Sequence, residues 1–224
     1  MFKPVVEFLW PTLVPLTAAE QAAQQTLIQG MRARVDGGDW KNHSEVALEE
    51  ARRIYDSEME RRKGADAKAG IYLAAITALI PVLASLLPAL FGEKVDKALG
   101  GISLLIFGAA ITYLIRAGYW AFRTLKVSGI DQLGPDDIAA CWTIDKPVET
   151  LAKTISLKVL SNYAAVNKKI SCIRITHDLL LYAFFTFAVL LAIQAIWPTA
   201  FWLLELIRSQ LPIESSYPLI MCYS

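Results

Sequence analysis

Three runs of the chain carry no charged side chain: Ala69 to Gly92, Ala98 to Ile115 and Leu179 to Leu204, of 24, 18 and 26 residues. A helix needs about 20 apolar residues to cross a hydrocarbon layer roughly 30 Å thick. The pattern therefore predicts three transmembrane helices. The first two spans, 70–92 and 98–118, form a hairpin unit over 63–126, with Glu93 to Lys97 as a tight connection. The last run is about 39 Å long as a helix, more than one crossing requires. Pro198 offers a division. We read 177–197 as the third span and 198–210 as a short interfacial helix, with a re-entrant element as the alternative, inside a 198–224 tail.

The polar segments show helical periodicity as well. Thr17 and Glu20 have capping-box spacing, and Leu27, Ile28, Met31 and Val35 form an apolar stripe behind them. Asp36-Gly37-Gly38-Asp39 ends that helix. A second helix begins near Asn42 or Ser44, with Glu49/Arg53 and Glu58/Arg62 in the favourable acid-first order four residues apart. Nothing stops it before the membrane, so one helix is expected from Ser44 through the first span, weakened by Gly64 and Gly70 and kinked at Pro81. Gly129, Gly134 and Pro135 mark a loop, and Pro135-Asp136-Asp137 starts a short helix. From Pro147 the apolar positions Val148, Leu151, Ile155, Val159, Val166, Ile170 and Ile173 predict another long helix leading straight into the third span. The fold class expected is an all-α membrane protein, its spans joined to two long cytoplasmic helical extensions (1–62 and 127–176) that pack as a helical bundle.

Charge orients this arrangement. Arg61, Arg62, Lys63 and Lys68 precede the first span. Arg116, Arg123 and Lys126 follow the second, and Lys168, Lys169 and Arg174 precede the third. By the positive-inside rule the N-terminus and the 127–176 segment are cytoplasmic, and the 93–97 loop and the C-terminal tail external. Lys3 and the apolar residues after it imitate a signal peptide. Pro4, Glu7, Pro11 and Pro15 interrupt the run, and an interfacial or core-docking segment is the preferred reading.

Composition removes most chemistry. The chain is 55% hydrophobic and 19% charged, with net charge +1, which is too apolar for an ordinary soluble domain. Cys141, Cys172 and Cys222 lack metal-type spacing, and His43 and His177 are far apart. No phosphate-binding loop, dinucleotide fingerprint, zinc-protease motif or nucleophile elbow occurs. The three runs hold no Asp, Glu, Lys, Arg or His, which argues against a proton relay or ion-coupled transporter. Gln194, the one strongly polar amide in a span, suits a helix contact or a water-facing position. The expectation is no enzyme, no cofactor, no metal and no nucleic acid.

Asp66 stands out. Gly64, Ala65, Ala67, Ala69 and Gly70 surround it, and such small residues permit close helix approach. A carboxylate there, beside Lys68, is expected to clamp to Lys168, Lys169 or Arg174 on the other cytoplasmic helix; a solvated charge paired only with Arg62 or Lys63 is the alternative. Ala74, Ala78, Gly108 and Thr112 are the small residues expected to serve packing of the spans.

The sequence Ala65-Asp66-Ala67-Lys68-Ala69 opening a two-span hairpin, with Asn162-Tyr163-Ala164-Ala165-Val166-Asn167-Lys168-Lys169 before the last span, resembles small membrane effectors of bacterial antiphage defence. The resemblance is to the Pycsar transmembrane effector domain and the related SLATT domains, over roughly residues 45–197. It implies a homo-oligomer that breaches the inner membrane after a signal. The chain departs from that pattern in showing no separate cyclic-nucleotide sensor, so a cytoplasmic sensor protein is an implied partner besides the bilayer. The alternative is a membrane-anchored scaffold for a cytoplasmic partner.

Overall fold

The protein was analysed as a computed structural model, which describes residues 11–13, 16–90, 97–126 and 130–210. Among these residues there are five helices and no strand. They are α1 (Ala18–Gly37), α2 (Ser44–Leu90), α3 (Lys97–Leu125), α4 (Pro135–Trp142) and α5 (Pro147–Gln210). Helices α2, α3 and α5 are each long and apolar enough to cross a membrane. The 93–97 connection falls almost wholly outside the described residues, as do Gly129, Cys222, the tail beyond 210 and most of the first fifteen residues.

Local chemistry sets the starts. At α1 the Thr17 N–H donates to Glu20 Oε2 (2.8 Å) and the Glu20 N–H donates to Thr17 Oγ1 (3.3 Å), so both halves of the capping box form. The Glu20 carboxyl lies below the usual carboxylate range because Thr17 donates to it from backbone and side chain. Helix α1 stops at Gly37. The Trp40 indole N–H donates to Val35 O (3.0 Å), and a Cβ on Gly38 would sit 2.8 Å from that indole nitrogen, so glycine is required by close approach. The α1 stripe is narrower than expected: Ile28, Met31 and Val35 are half-buried, while Leu27 turns outward.

Helix α2 runs from Ser44 to Leu90 without a break, through Pro81 and Pro88. Helix α5 likewise runs through Pro198 to Gln210, so the expected division between a third span and a separate interfacial helix is absent. Pro198 removes one backbone donor, but the Thr199 hydroxyl donates to Ile196 O (2.7 Å) and Ala195 O (3.3 Å). The carbonyl that loses its donor is that of Gln194, so these bonds brace the turn beside the proline, and an apolar helix tolerates the remaining loss. At about 1.5 Å per residue α5 is roughly 96 Å long and α2 roughly 70 Å.

The three long helices lie side by side, with α5 against both α2 and α3. Polar contacts give their directions. Arg61 meets Asn167, Asp66 meets Lys169 and Tyr72 meets His177, so α2 and α5 run parallel. Gln194 near the far end of α5 meets Ser103 near the start of α3, so α3 runs back against them.

The buried positions repeat at about 3.5 residues, as in coiled-coil seams. On α2 they are Ala51, Glu58, Ala65, Ala69, Ile76 and Leu83; on α3, Leu99, Ser103, Phe107, Ala110, Leu114, Ala117 and Thr124 among others. One core joins Ile76 and Leu83 to Phe107, Leu114, Trp120, Leu179, Ala183 and Leu190 at the level of the apolar spans. A smaller core of Ala51, Cys141, Leu151 and Ile155 lies toward the polar ends. Of the N-terminal segment, Pro11 accepts a hydrogen bond from Arg116 Nη2 (3.2 Å) and Leu13 packs on the larger core, which fits the docking reading there.

Candidate functional site

The seam between α2 and α5, just before both enter their apolar runs, collects most of the inter-helix polar chemistry. Ala65 and Ala69 are buried there, and their single methyl groups bring the backbones close enough for short side chains to bridge. Asp66, between them, accepts from Lys169 Nζ at 2.6 Å. Its second oxygen is 3.9 Å from Arg62 Nε, one turn back. The Lys169 side chain is only 7% exposed and Asp66 33%, so the cation is buried and its counter-ion is half in water. One turn away on the polar side, Arg61 Nη2 donates to Asn167 Oδ1 (3.1 Å). On the apolar side the Tyr72 hydroxyl shares a hydrogen bond with His177 Nδ1 (3.1 Å). These three rungs fix the register of the parallel pair.

Of the partners expected for Asp66, the structure brings Lys169 to it and leaves Lys168, Arg174 and Lys68 exposed elsewhere. Lys168 precedes Lys169 by one position and so points about 100° away on the helix, onto the α3 side, where it lines a cavity with Arg123 and Lys126. The ion pairs within α2 differ in register from those read off the sequence. Arg53 pairs with Glu50 (2.8 Å) and Arg61 with Glu58 (2.6 Å), three residues apart, while Arg62 lies 3.9 Å from Asp66. Glu58 is buried in the seam, and its Oε1 has no hydrogen-bond partner among the described residues. Lys63 is exposed, Arg116 is docked on Pro11 O, and Arg123 lies over the Trp120 ring at 5.0 Å.

Ala74, Ala78, Gly108 and Thr112 all face outward. The Thr112 hydroxyl donates to Gly108 O, and a Cβ on Gly108 would meet nothing within 4 Å. Contacts within the chain use other small residues, Ala65, Ala69, Ala110, Ala117 and Ala183. The four predicted positions are thus left free on the outer faces of the spans. Gln194 makes the helix contact expected of it, donating to the buried Ser103 hydroxyl at 2.9 Å.

A second polar assembly was not visible in sequence. Asn162, 2% exposed on α5, accepts from the Asp131 N–H (3.0 Å) and donates to Asp131 O (2.8 Å). Its side-chain amide thus satisfies both backbone groups of one loop residue. Lys158 Nζ reaches Asp131 Oδ1 (2.8 Å) and Asp137 Oδ2 (2.9 Å), and the Tyr55 hydroxyl accepts from the Leu133 N–H (3.3 Å). The loop before α4 is therefore tied to α2 and α5 together. Hydrogen bonds to Asp131 and Asp137 hold the Lys158 ammonium above its ordinary range. The Gly134 N–H and Lys158 hold the Asp137 carboxyl below its own. The one sequence signal was that Lys158 has no acid a helical turn away on α5.

Among the described residues no group of three or more His, Cys, Asp or Glu side chains is placed to hold a metal ion. Fold and seam together define an all-helical protein with three helices apolar enough to cross a membrane, two of them continued far beyond their apolar runs as a tied polar pair. Set beside known protein families, curated proteins and solved structures, the chain matches none.

Proposed function

We propose that the chain is a non-enzymatic membrane effector which self-associates in the bacterial inner membrane and perturbs or permeabilises it when its cytoplasmic helices are engaged. The observation that carries this is continuity. Helices α2 and α5 pass from polar to apolar sequence without a break, and Asp66–Lys169 locks them together at the crossing point. A rigid helix pair conveys a rotation or separation of its polar ends to the spans, which a flexible linker would not. The outward-facing Ala74, Ala78, Gly108 and Thr112 offer surfaces for a second copy, since small residues favour span-to-span association. The defence setting comes from the resemblance to Pycsar and SLATT effectors, and there the trigger would be a cytoplasmic sensor protein. Expression in bacteria with a membrane-potential dye is the test. Rapid depolarisation with growth arrest is expected; an unaffected potential after confirmed engagement of the cytoplasmic helices refutes the effector reading.

A scaffold that recruits a cytoplasmic partner is the second reading. It is favoured by the apolar side chains exposed on the polar ends, among them Val46, Ile54, Ile138, Trp142 and Ile144. Under this reading, deleting α4 abolishes partner capture and leaves the membrane potential untouched throughout.

A further inference from the structure

We infer that the cavity between the end of α3 and the polar part of α5 binds the phosphate headgroup of an anionic phospholipid. Its volume is 450 Å³, and its lining is Arg123, Lys126, Lys168 and Lys169 with Ala164, Ala165 and Cys172. Four cations converge there and no acid does. Lys169 is committed to Asp66, whereas Arg123, Lys126 and Lys168 make no ion pair with any described residue. Like charges gathered round an open space repel one another, and an anion in that space removes the penalty. Topology alone asks only that cations lie on one side of the membrane; it does not ask them to share a cavity.

The position selects the ligand. The four cations lie five to nine residues beyond the spans read at 98–118 and 177–197, roughly 8–14 Å along the helix axis. Long basic side chains at that height extend back to the headgroup layer. The exposed Tyr119 marks the interface on α3, and the ring of the buried Trp120 lies under the Arg123 guanidinium. The volume falls in the usual small-molecule range of about 300–1,000 Å³. Alanines supply clearance and no aromatic ring lines the cavity, so a base has nothing to stack on. A phosphate with a small polyol fits this lining better than a nucleotide. The site requires only that the three long helices cross a bilayer, so it stands under either reading of function.

The test uses the full chain purified in an uncharged detergent. Phosphatidylglycerol, phosphatidylcholine and inorganic phosphate are titrated separately, with retained lipid counted by native mass spectrometry and unfolding followed by tryptophan fluorescence. Phosphatidylglycerol is expected to remain bound and to raise the unfolding temperature, and phosphatidylcholine to do neither. Arg123→Gln and Lys168→Gln should each weaken retention about fivefold, the equivalent of about 1 kcal/mol per cation near an anionic surface. Lys168→Arg should preserve it. Lys126→Gln, at an exposed site, reports the same loss if either of the other variants fails to fold. Equal retention of phosphatidylcholine, or undiminished phosphatidylglycerol binding in the variants, overturns the proposal. Protection by inorganic phosphate equal to that by lipid overturns the assignment to a headgroup in favour of a soluble anion. Membrane potential is not the readout, so failure here is separable from failure of the effector reading.

Discussion

Removing the Asp66 carboxylate while keeping its size, in Asp66→Asn, leaves the Lys169 ammonium in a site that is only 7% exposed. At the 2.6 Å separation and an effective dielectric of about 20, the gross attraction is about 6 kcal/mol. Most of that offsets the cost of taking the ammonium out of water. Asp66 is 33% exposed, so water screens the pair and the net coupling falls to about 1–3 kcal/mol. The single variant costs somewhat more than the coupling, about 2–3 kcal/mol, because it strands a buried charge. For a chain of this size that lowers the unfolding temperature by about 4–12 °C. The assay is a double-mutant cycle with Asp66→Asn, Lys169→Met and the pair together, followed by tryptophan fluorescence in lipid nanodiscs. The double variant should recover much of the loss, since it removes both charges. Exchanging the two, Asp66→Lys with Lys169→Asp, should recover part of it. A coupling energy below about 0.5 kcal/mol, or Asp66→Asn as stable as the parent, would refute the reasoning.

Asn162→Leu removes the two hydrogen bonds that hold Asp131, at about 1–3 kcal/mol, and frees the exposed loop to turn to water. Hydrogen exchange should rise over 130–142 and stay unchanged in the spans; uniform exchange would show that the loop is held by something else. The pH dependence of the same region follows from its two charged anchors. The Lys158 ammonium is held above its ordinary range, so its contribution is complete below that range and lost as pH rises through the raised value. The Asp137 carboxyl is held below its ordinary range, so its contribution is present above that range and lost as pH falls through the lowered value. Limited proteolysis of the loop before α4 should therefore be slow across neutral pH and faster at both extremes, and Lys158→Met should abolish the alkaline limb and shrink the acid limb to the part that the Gly134 N–H sustains. Glu58→Met replaces a buried carboxylate that has one oxygen without a partner. It should leave stability unchanged or raise it by about 1–2 kcal/mol, because the cost of burying the carboxylate disappears while the remaining Arg61 is 43% exposed and keeps Asn167; a loss would mean that the Arg61 contact holds the seam.

Helix starts were legible because their signals are local: Thr17 with Glu20, Ser44 after a glycine break, and Pro135 and Pro147 at first-turn positions. The apolar runs were legible because charge is costly in hydrocarbon. Asp66 could be singled out because a carboxylate among alanines and glycines needs an explanation. Its partner could not be narrowed below three cations, because that choice depends on the rotation of α5 about its own axis. Lys168 and Lys169 are adjacent in sequence and about 100° apart on a helix, and no composition rule separates them. The small residues failed to declare their role for a related reason. Ala74 and Ala69 look alike in sequence, and only the period of about 3.5 set by burial places Ala69 in the seam and Ala74 outside it. Pro198 misled because a proline that ends a helix in water is tolerated inside an apolar one, as Pro81 and Pro88 are in α2. The clamp of Asn162 on Asp131 joins an amide to a loop backbone 31 residues away, and no spacing encodes that.

The register of α2 against α5 decides what the basic residues on α5 can do. With Lys169 turned to Asp66, Lys168 is carried round toward α3, beside Arg123 and Lys126. One ion pair thus fixes a helix face and, with it, the second cluster of charge. A rotation of α5 that broke the Asp66 contact would also move Lys168 away from Arg123 and Lys126. Lipid bound among those cations therefore favours the same orientation of α5 that the ion pair favours, and linkage makes the effect reciprocal. Asp66→Glu, which keeps the charge but displaces the contact by one methylene, should weaken phosphatidylglycerol retention although position 66 does not line the cavity, and anionic lipid should raise the unfolding temperature of the parent more than that of the variant; Asp66→Asn would instead free Lys169, itself in the lining, to bind lipid. If the variant retains lipid as the parent does, the two clusters are independent and the seam and the cavity act separately.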